Sequence, residues 1–88
     1  MRKEFADYLI RQGYKLTTPS GNFSTVYSYI KSIDDVCDWE GISWEVLADN
    51  IVVIVPQYDI GGSKEDLGNK SHRTVINALK RFKEFVRN

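Results

Sequence analysis

The chain has 88 residues, and its 12 basic and 12 acidic residues give a formal net charge of zero. This length allows one small domain with a modest hydrophobic core. No run of about 18 apolar residues is present, which excludes an ordinary membrane-spanning helix, and the N-terminus lacks the pattern of a signal peptide. The single cysteine excludes an internal disulfide. Together these features predict a protein of the reducing cytoplasm that does not enter the membrane.

Apolar residues spaced three and four positions apart predict an all-α fold. The first helix is expected over about residues 2–12, because Phe5, Tyr8 and Leu9 lie on one face of it. Gly13 suits the position just after its C-terminal cap, where a left-handed backbone is common.

A second helix is expected to begin near Ser24 and to end at Gly41, with Ile42 packing back against its last turn. Its apolar face is formed by Val26, Tyr29, Ile30, Ile33, Val36 and Cys37. Ser43 then has the side chain of a good N-cap for a third helix. These signals place the boundary between the two helices at residues 41–43.

The segment from residue 51 to residue 55 is ambiguous, because all five side chains are β-branched and locally favour a strand. The same segment, continued to Tyr58, also fits one face of a helix that Asn50 could cap. Pro56 would disturb such a helix by removing a backbone donor. We expect a helix, since a lone strand in a helical chain would have no partner to pair with.

The last helix has the clearest pattern in the chain. A flexible polar loop is expected over residues 61–69, and Ser71 is then expected to cap a helix that continues to the end of the sequence. The apolar stripe of this helix comprises Val75, Ala78, Leu79, Phe82, Phe85 and Val86. Leu79 and Phe82 lie in the middle of the stripe, so both are expected in the core.

Charge is segregated along the chain although the total is zero. Residues 70–88 contain six Lys or Arg residues and one acid, a net charge of +5, and most of these basic residues lie off the apolar stripe. Residues 32–49 contain six acids and no Lys or Arg. A basic helix face attracts polyanions, whereas the acidic stretch cannot face nucleic acid.

The glycine-containing segment after residue 60 imitates a phosphate-binding loop but does not match its pattern. That motif requires Gly, four residues, and then Gly-Lys-Ser or Gly-Lys-Thr. Here five residues separate Gly62 from Gly68, and Asn69 separates Gly68 from Lys70. Two acids within the segment would also repel phosphate, so no nucleotide site is expected.

Cys37 and His72 are the only cysteine and the only histidine. Cys37 lies on an apolar helix face, which predicts an inert, buried thiol. His72 is expected at the surface, where it is either an ordinary exposed side chain or a contact to phosphate. A zinc site needs more ligands than these two residues supply. The sequence therefore predicts no enzyme activity, no metal and no cofactor.

Three segments resemble a known family, the tyrosine recombinases and phage integrases. Residues 24–33 (STVYSYIKSI) are similar to the second helix of their N-terminal SAM-like core-binding domain, and residues 71–82 (SHRTVINALKRF) to its fourth helix. Residues 5–13 resemble its first helix. The resemblance implies that residues 1–88 form one such domain, a compact SAM-like orthogonal bundle of four or five helices, either alone or as part of a larger protein. It also implies that the second and last helices face DNA, while catalysis belongs to a separate C-terminal domain.

This resemblance and the basic helix face together predict a non-catalytic DNA-binding domain of a mobile element, which acts in DNA recombination and integration. Small polar side chains at a helix start, together with basic side chains, suit contacts to phosphate. The residues expected to contact duplex DNA are Ser24, Thr25, Ser28, Lys31, Lys70, His72, Arg73, Asn77 and Lys80. The alternative is a protein-interaction or self-association module that uses its acidic and basic sides without binding nucleic acid.

Overall fold

A computed structural model describes residues 1–15 and 25–87 of the chain. The helices in the described part are α1 (Arg2–Arg11), α2 (Thr25–Glu40), α3 (Trp44–Asp49), α4 (Ile51–Tyr58), α5 (Glu65–Gly68) and α6 (Lys70–Arg87). No strand occurs in this part of the chain, and the all-α prediction is confirmed. None of its helices has the length and apolar character needed to cross a membrane. The predicted start of the second helix at Ser24 lies outside the described residues.

The first two helices end in the same way, and both ends were predicted. Gly41 has a positive φ of 68°, which reverses the chain at the end of α2 and is a conformation that a glycine adopts without steric cost. The amide of Ile42 then donates to the carbonyl of Cys37 at 3.0 Å. Gly13 and Tyr14 repeat this arrangement at the end of α1. In both cases the hydrogen bonds satisfy carbonyl groups that the helix leaves without partners.

The short helices α3 and α4 follow each other almost directly. The Ser43 hydroxyl accepts a hydrogen bond from the Val46 amide at 3.1 Å, so its prediction as the N-cap of α3 is confirmed. Asn50 holds the predicted N-cap position of α4, but its side chain makes no capping hydrogen bond. Its side-chain amide instead donates to the carbonyl of Val46 at 2.9 Å, because that carbonyl is exposed at the end of α3.

Residues 51–58 form a helix, as expected, and not a strand. The four residues of the predicted face, Ile51, Ile54, Val55 and Tyr58, are all buried. Pro56 lies on the exposed side of α4, in its last turn. Proline has no backbone N–H, so one carbonyl of the helix loses its donor, and water can hydrogen-bond to that carbonyl instead. Burial of the apolar face thus outweighs the local preference of β-branched residues for a strand.

The segment between α4 and α6 is more ordered than the predicted polar loop over residues 61–69. It contains α5, which packs against both α4 and α6. Leu67 is half-buried and rests on the core, which gives the short helix an apolar anchor. The loop prediction is therefore wrong here, because a single leucine among polar residues gave no periodic signal.

The beginning of α6 also differs from the expectation. Ser71, His72 and Arg73 have φ values of 55°, 57° and 69°, so they form a left-handed turn before the regular helix. Ser71 therefore does not cap the helix, and its carbonyl instead accepts a hydrogen bond from the hydroxyl of Thr74. Left-handed conformations cost about 1–2 kcal/mol per non-glycine residue, a cost that the packing of α6 has to offset.

The core is built on the apolar stripe of α6, and Phe82 is its centre. The Phe82 ring meets Phe5 of α1 at a centroid distance of 5.2 Å and Trp44 of α3 at 5.4 Å, both nearly perpendicular. Leu79 and Phe82 are completely buried, which confirms their predicted place. Edge-to-face pairs of this kind add stability beyond the area that they bury.

Shortening Phe82 or Leu79 to alanine is expected to lower the free energy of unfolding by about 2–5 kcal/mol, because each change leaves a cavity in a small core. Chemical denaturation measures this loss. Asn77→Ala, on the exposed side of the same helix, is the control and is expected to change stability by less than about 0.5 kcal/mol. A loss below about 1 kcal/mol for both core variants would contradict the assigned packing.

Glu40, at the end of α2, binds the last residue of α4 and the segment that follows it, and so holds both against α2. Its carboxylate accepts a hydrogen bond from the Tyr58 hydroxyl at 2.6 Å and also pairs with the ammonium of Lys64. The Tyr58 ring stacks on Trp39 at a centroid distance of 6.3 Å. The Lys64 ammonium lies over the Tyr58 ring, 5.6 Å from its centre. The interaction with Lys64, followed by that with Tyr58, lowers the pKa of Glu40.

This lowered pKa predicts a pH dependence of stability. The contribution of the Glu40 carboxylate is fully present above the ordinary glutamate pKa of about 4.3 and is lost as the pH falls through the lower folded value. Glu40→Gln is therefore expected to be less stable than the wild type by roughly 1.5–3 kcal/mol at pH 7, with the difference shrinking below about pH 4. Denaturation of both proteins across this range measures it. Glu45→Gln, the same change at an exposed acid that forms no ion pair in the described residues, is the control.

Candidate nucleic-acid interface

A groove between α2 and the start of α6 brings together three of the residues predicted to contact DNA. Ser28 and Lys31 from α2 form one wall, while Lys70 and Thr74 from α6 contribute to the other. The groove has a volume of about 230 Å³. It combines hydroxyl and ammonium groups that can donate hydrogen bonds to an anion with one carboxylate, that of Asp35, which repels an anion.

The side of α2 that leads into this groove carries a polar stripe. Thr25, Ser28 and Lys31 follow each other at intervals of three residues, so they lie on neighbouring turns of one helix face. Thr25 and Lys31 are exposed, and Ser28 is half-buried. Ser24, the first predicted contact residue, lies outside the described part of the chain.

The two lysines of the groove are held in different ways. Lys31 pairs with Asp35 one turn further along α2, at 3.0 Å, and this hydrogen bond raises the pKa of Lys31. Lys70 has no carboxylate partner among the described residues, and its ammonium lies 5.4 Å from the centre of the Trp39 ring. Both ammonium groups are exposed, although Asp35 competes, as an exposed and therefore weak partner, with an incoming anion for Lys31.

Arg73 and Lys80 do not line this groove. Both approach Asp59, which follows α4, at 3.7 Å and 3.4 Å respectively. The hydrogen bond from the Ile60 amide, with the charges of Lys80 and Arg73, lowers the pKa of Asp59. The predicted DNA-contacting residues are thus divided between the groove and the outer face of α6.

The remaining predicted contact residues are exposed but stand apart from the groove lining. Asn77 is exposed on α6, about one turn before Lys80, whereas Arg73 belongs to the left-handed turn before the regular helix. His72 is exposed within the left-handed turn. Their accessibility permits contact with a large ligand, and a small ligand in the groove would not reach them all.

A second, larger groove was not predicted from the sequence. It lies between α1, α4 and α6, has a volume of about 970 Å³, and is called the basic groove below. Its lining residues are Tyr8, Gln12, Val55, Pro56, Asp59, Ile60, Lys80, Arg81, Lys83, Glu84 and Arg87. Four of them are cations and two are acids. The sequence placed Lys83 and Arg87 off the apolar stripe, which indicated that they are available at the surface. The other walls of the groove come from distant segments, so the groove itself was not predictable.

Asp35, one of the acids predicted to avoid nucleic acid, lines the groove between α2 and α6, whereas the other acids of residues 32–49 lie outside its lining. Asp34 binds Arg2 at 2.6 Å and accepts a hydrogen bond from the Trp44 indole at 2.8 Å. Burial alone would raise the pKa of Asp34, but these two hydrogen bonds together lower it. Burial and the charges of Asp34, Asp38 and Glu45 raise the pKa of Cys37 to about 11, so this thiol stays protonated near neutral pH.

The local structure also bears on the catalytic alternatives. Residues 51–58 are helical, whereas a phosphate-binding loop follows a β-strand. Cys37 is buried and His72 is exposed, so they do not share one environment. Within residues 1–15 and 25–87, no group of three His, Cys, Asp or Glu side chains is arranged to hold a metal ion.

Comparisons of this chain with protein-family models, with curated proteins and with solved structures found no match. The resemblance to the core-binding domain of recombinases therefore stays a prediction based on three sequence segments. Any functional conclusion has to come from the arrangement of the side chains.

Proposed function

We propose that this domain binds duplex DNA without catalysing a reaction, and that its main contacts go to phosphate groups. The observation that carries the proposal is the groove between α2 and α6, in which Ser28 and Lys31 meet Lys70 and Thr74. Hydroxyl and ammonium groups are common donors to the phosphates of DNA. The groove draws them from two packed helices, so their spacing is fixed before a ligand arrives.

The outer face of α6 supplies further contacts in this proposal. Arg73, Asn77 and Lys80 extend the basic surface along the helix, but Asp59 competes with phosphate for the two cations. A ligand must displace this carboxylate before it gains their full charge. The affinity is therefore expected to be modest, in the micromolar range typical of contacts that do not depend on sequence.

The resemblance to recombinases and integrases supports a more specific role within this proposal. In that role the domain holds DNA during recombination or integration, while another domain carries out the chemistry. The acids of residues 32–49 other than Asp35 lie outside the lining of the groove, so they need not face the duplex. Catalytic domains and other proteins are then additional partners.

Lys31→Ala and Lys70→Ala are each expected to weaken duplex binding and to flatten its salt dependence by about one unit of logarithmic slope, because each removes one phosphate contact. Fluorescence anisotropy of a labelled duplex, titrated at several salt concentrations from about 50 mM upward, measures both effects. Lys3→Ala is the control, because Lys3 lies beside Glu45 in a separate cleft. Wild-type affinity in both groove variants, or no binding by the wild type at high micromolar protein, would overturn the proposal.

Asp59→Asn is expected to strengthen duplex binding, because it releases Arg73 and Lys80 from their shared carboxylate. Asp66→Asn is a matched control, since Asp66 is exposed, changes the net charge equally and has no ion pair among the described residues. The same anisotropy titration compares the two variants. An equal gain in both would mean that only total charge matters and that the competition at Asp59 plays no part.

A further inference from the structure

The basic groove has features of a protein-docking surface that DNA contact does not require. Its floor includes apolar side chains from the end of α4, and Ile60 is 70% exposed there. Lys83 and Arg87 on α6 have no acidic partner among the described residues, whereas Lys80 and Arg81 are paired with Asp59 and Glu84. The groove therefore offers apolar area beside two cations that lack partners.

The same chain carries a surface of complementary character on α3. Glu45 and Asp49 are exposed and form no ion pair within residues 1–15 and 25–87. Val46, between them in sequence and three residues before Asp49, is 42% exposed. We call these three residues the α3 face. Like the basic groove, it combines exposed apolar area with charges that have no partner in the described part of the chain, but the charges are negative.

The two surfaces lie near opposite ends of α1. Glu45 lines a shallow cleft with Arg2 and Lys3 at the start of that helix, whereas the basic groove reaches Gln12, just beyond its end. A helix of this length spans about 15 Å. The surfaces are therefore separate, so each is available to a different molecule at the same time.

We propose that the basic groove receives the α3 face of a second copy of this chain. The charges that lack partners in one copy are then matched by opposite charges in the other, and the apolar areas around Ile60 and Val46 are buried together. The zero net charge of the chain means that no overall repulsion opposes the approach of two copies. This contact is independent of the groove between α2 and α6.

The proposed contact joins two different surfaces, so it is a head-to-tail contact. Each copy in a pair retains one unused surface, and the assembly grows into a ring or an open chain. Because charges contribute to the interface, the association is expected to weaken as salt rises. It is also expected to depend on protein concentration, as any weak self-association does.

Two double variants test the proposal by light scattering on DNA-free protein. Lys83→Glu/Arg87→Glu disables the groove and keeps the α3 face, whereas Glu45→Lys/Asp49→Lys disables the α3 face and keeps the groove. The wild type is expected to rise above the 10.2 kDa of one chain with increasing concentration at about 50 mM salt. Each variant alone is expected to stay near that mass. Their equimolar mixture is expected to regain mass, because the intact groove of one variant then meets the intact α3 face of the other, and the two charge-reversed surfaces are also opposite in charge.

The control variant changes the net charge by the same amount as the groove variant, but at positions outside both surfaces. Arg11→Glu/Lys15→Glu also changes the net charge by −4, since each substitution replaces a cation with an anion, and both positions are exposed and lie outside the two surfaces. It is expected to associate like the wild type. A wild type that stays monomeric at high micromolar concentration, or a mixture that does not regain mass, would overturn the proposal. Such a result would leave DNA binding unaffected, because Lys31 and Lys70 are tested separately.

Discussion

Burial of the apolar stripe of α6 is the interaction on which the other features depend. This helix packs against each of the other five helices in the described part of the chain. Phe82 joins α1 and α3 through its contacts with Phe5 and Trp44, and Leu79 is fully buried in the same stripe. A domain of this size has little other apolar area to bury, so losing one contact of this helix affects the whole fold.

The position of α6 in the core also determines the surface. Because one side of the helix is fixed by packing, the basic residues on its other sides are held at definite places relative to α2 and α4. The α2–α6 groove and the basic groove lie on different sides of this one helix. Two separate binding surfaces can therefore arise from one amphipathic segment, each completed by a different neighbour.

Local signals explain which parts of the fold could be predicted from the sequence. Gly13, Gly41 and Ser43 act within a few residues of their own position, so their roles at helix ends follow directly from residue type. The apolar face of α4 was also predictable, although its residues favour a strand locally. In each case the information lies in neighbouring residues or in one periodic pattern.

The failures have the opposite origin, since they depend on contacts between distant segments. The segment after α4 folds back because Glu40 binds Tyr58 and Lys64, which lie 18 and 24 residues away in sequence. This fold brings Asp59 to Arg73 and Lys80, so two of the predicted DNA contacts became paired. The basic groove was missed for the same reason, since its walls come from three separate helices.

The two tryptophans occupy environments that differ in a way that spectroscopy can use. Trp44 is buried among aromatic rings, and its indole N–H is bound to Asp34. Trp39 is 39% exposed and contacts the Tyr58 ring and the ammonium of Lys70. Indole emission moves to longer wavelength as exposure to water increases, so we expect Trp39 to emit at longer wavelength than Trp44. The chain thus carries two natural fluorophores, one that reports on the core and one that reports on the groove beside Lys70.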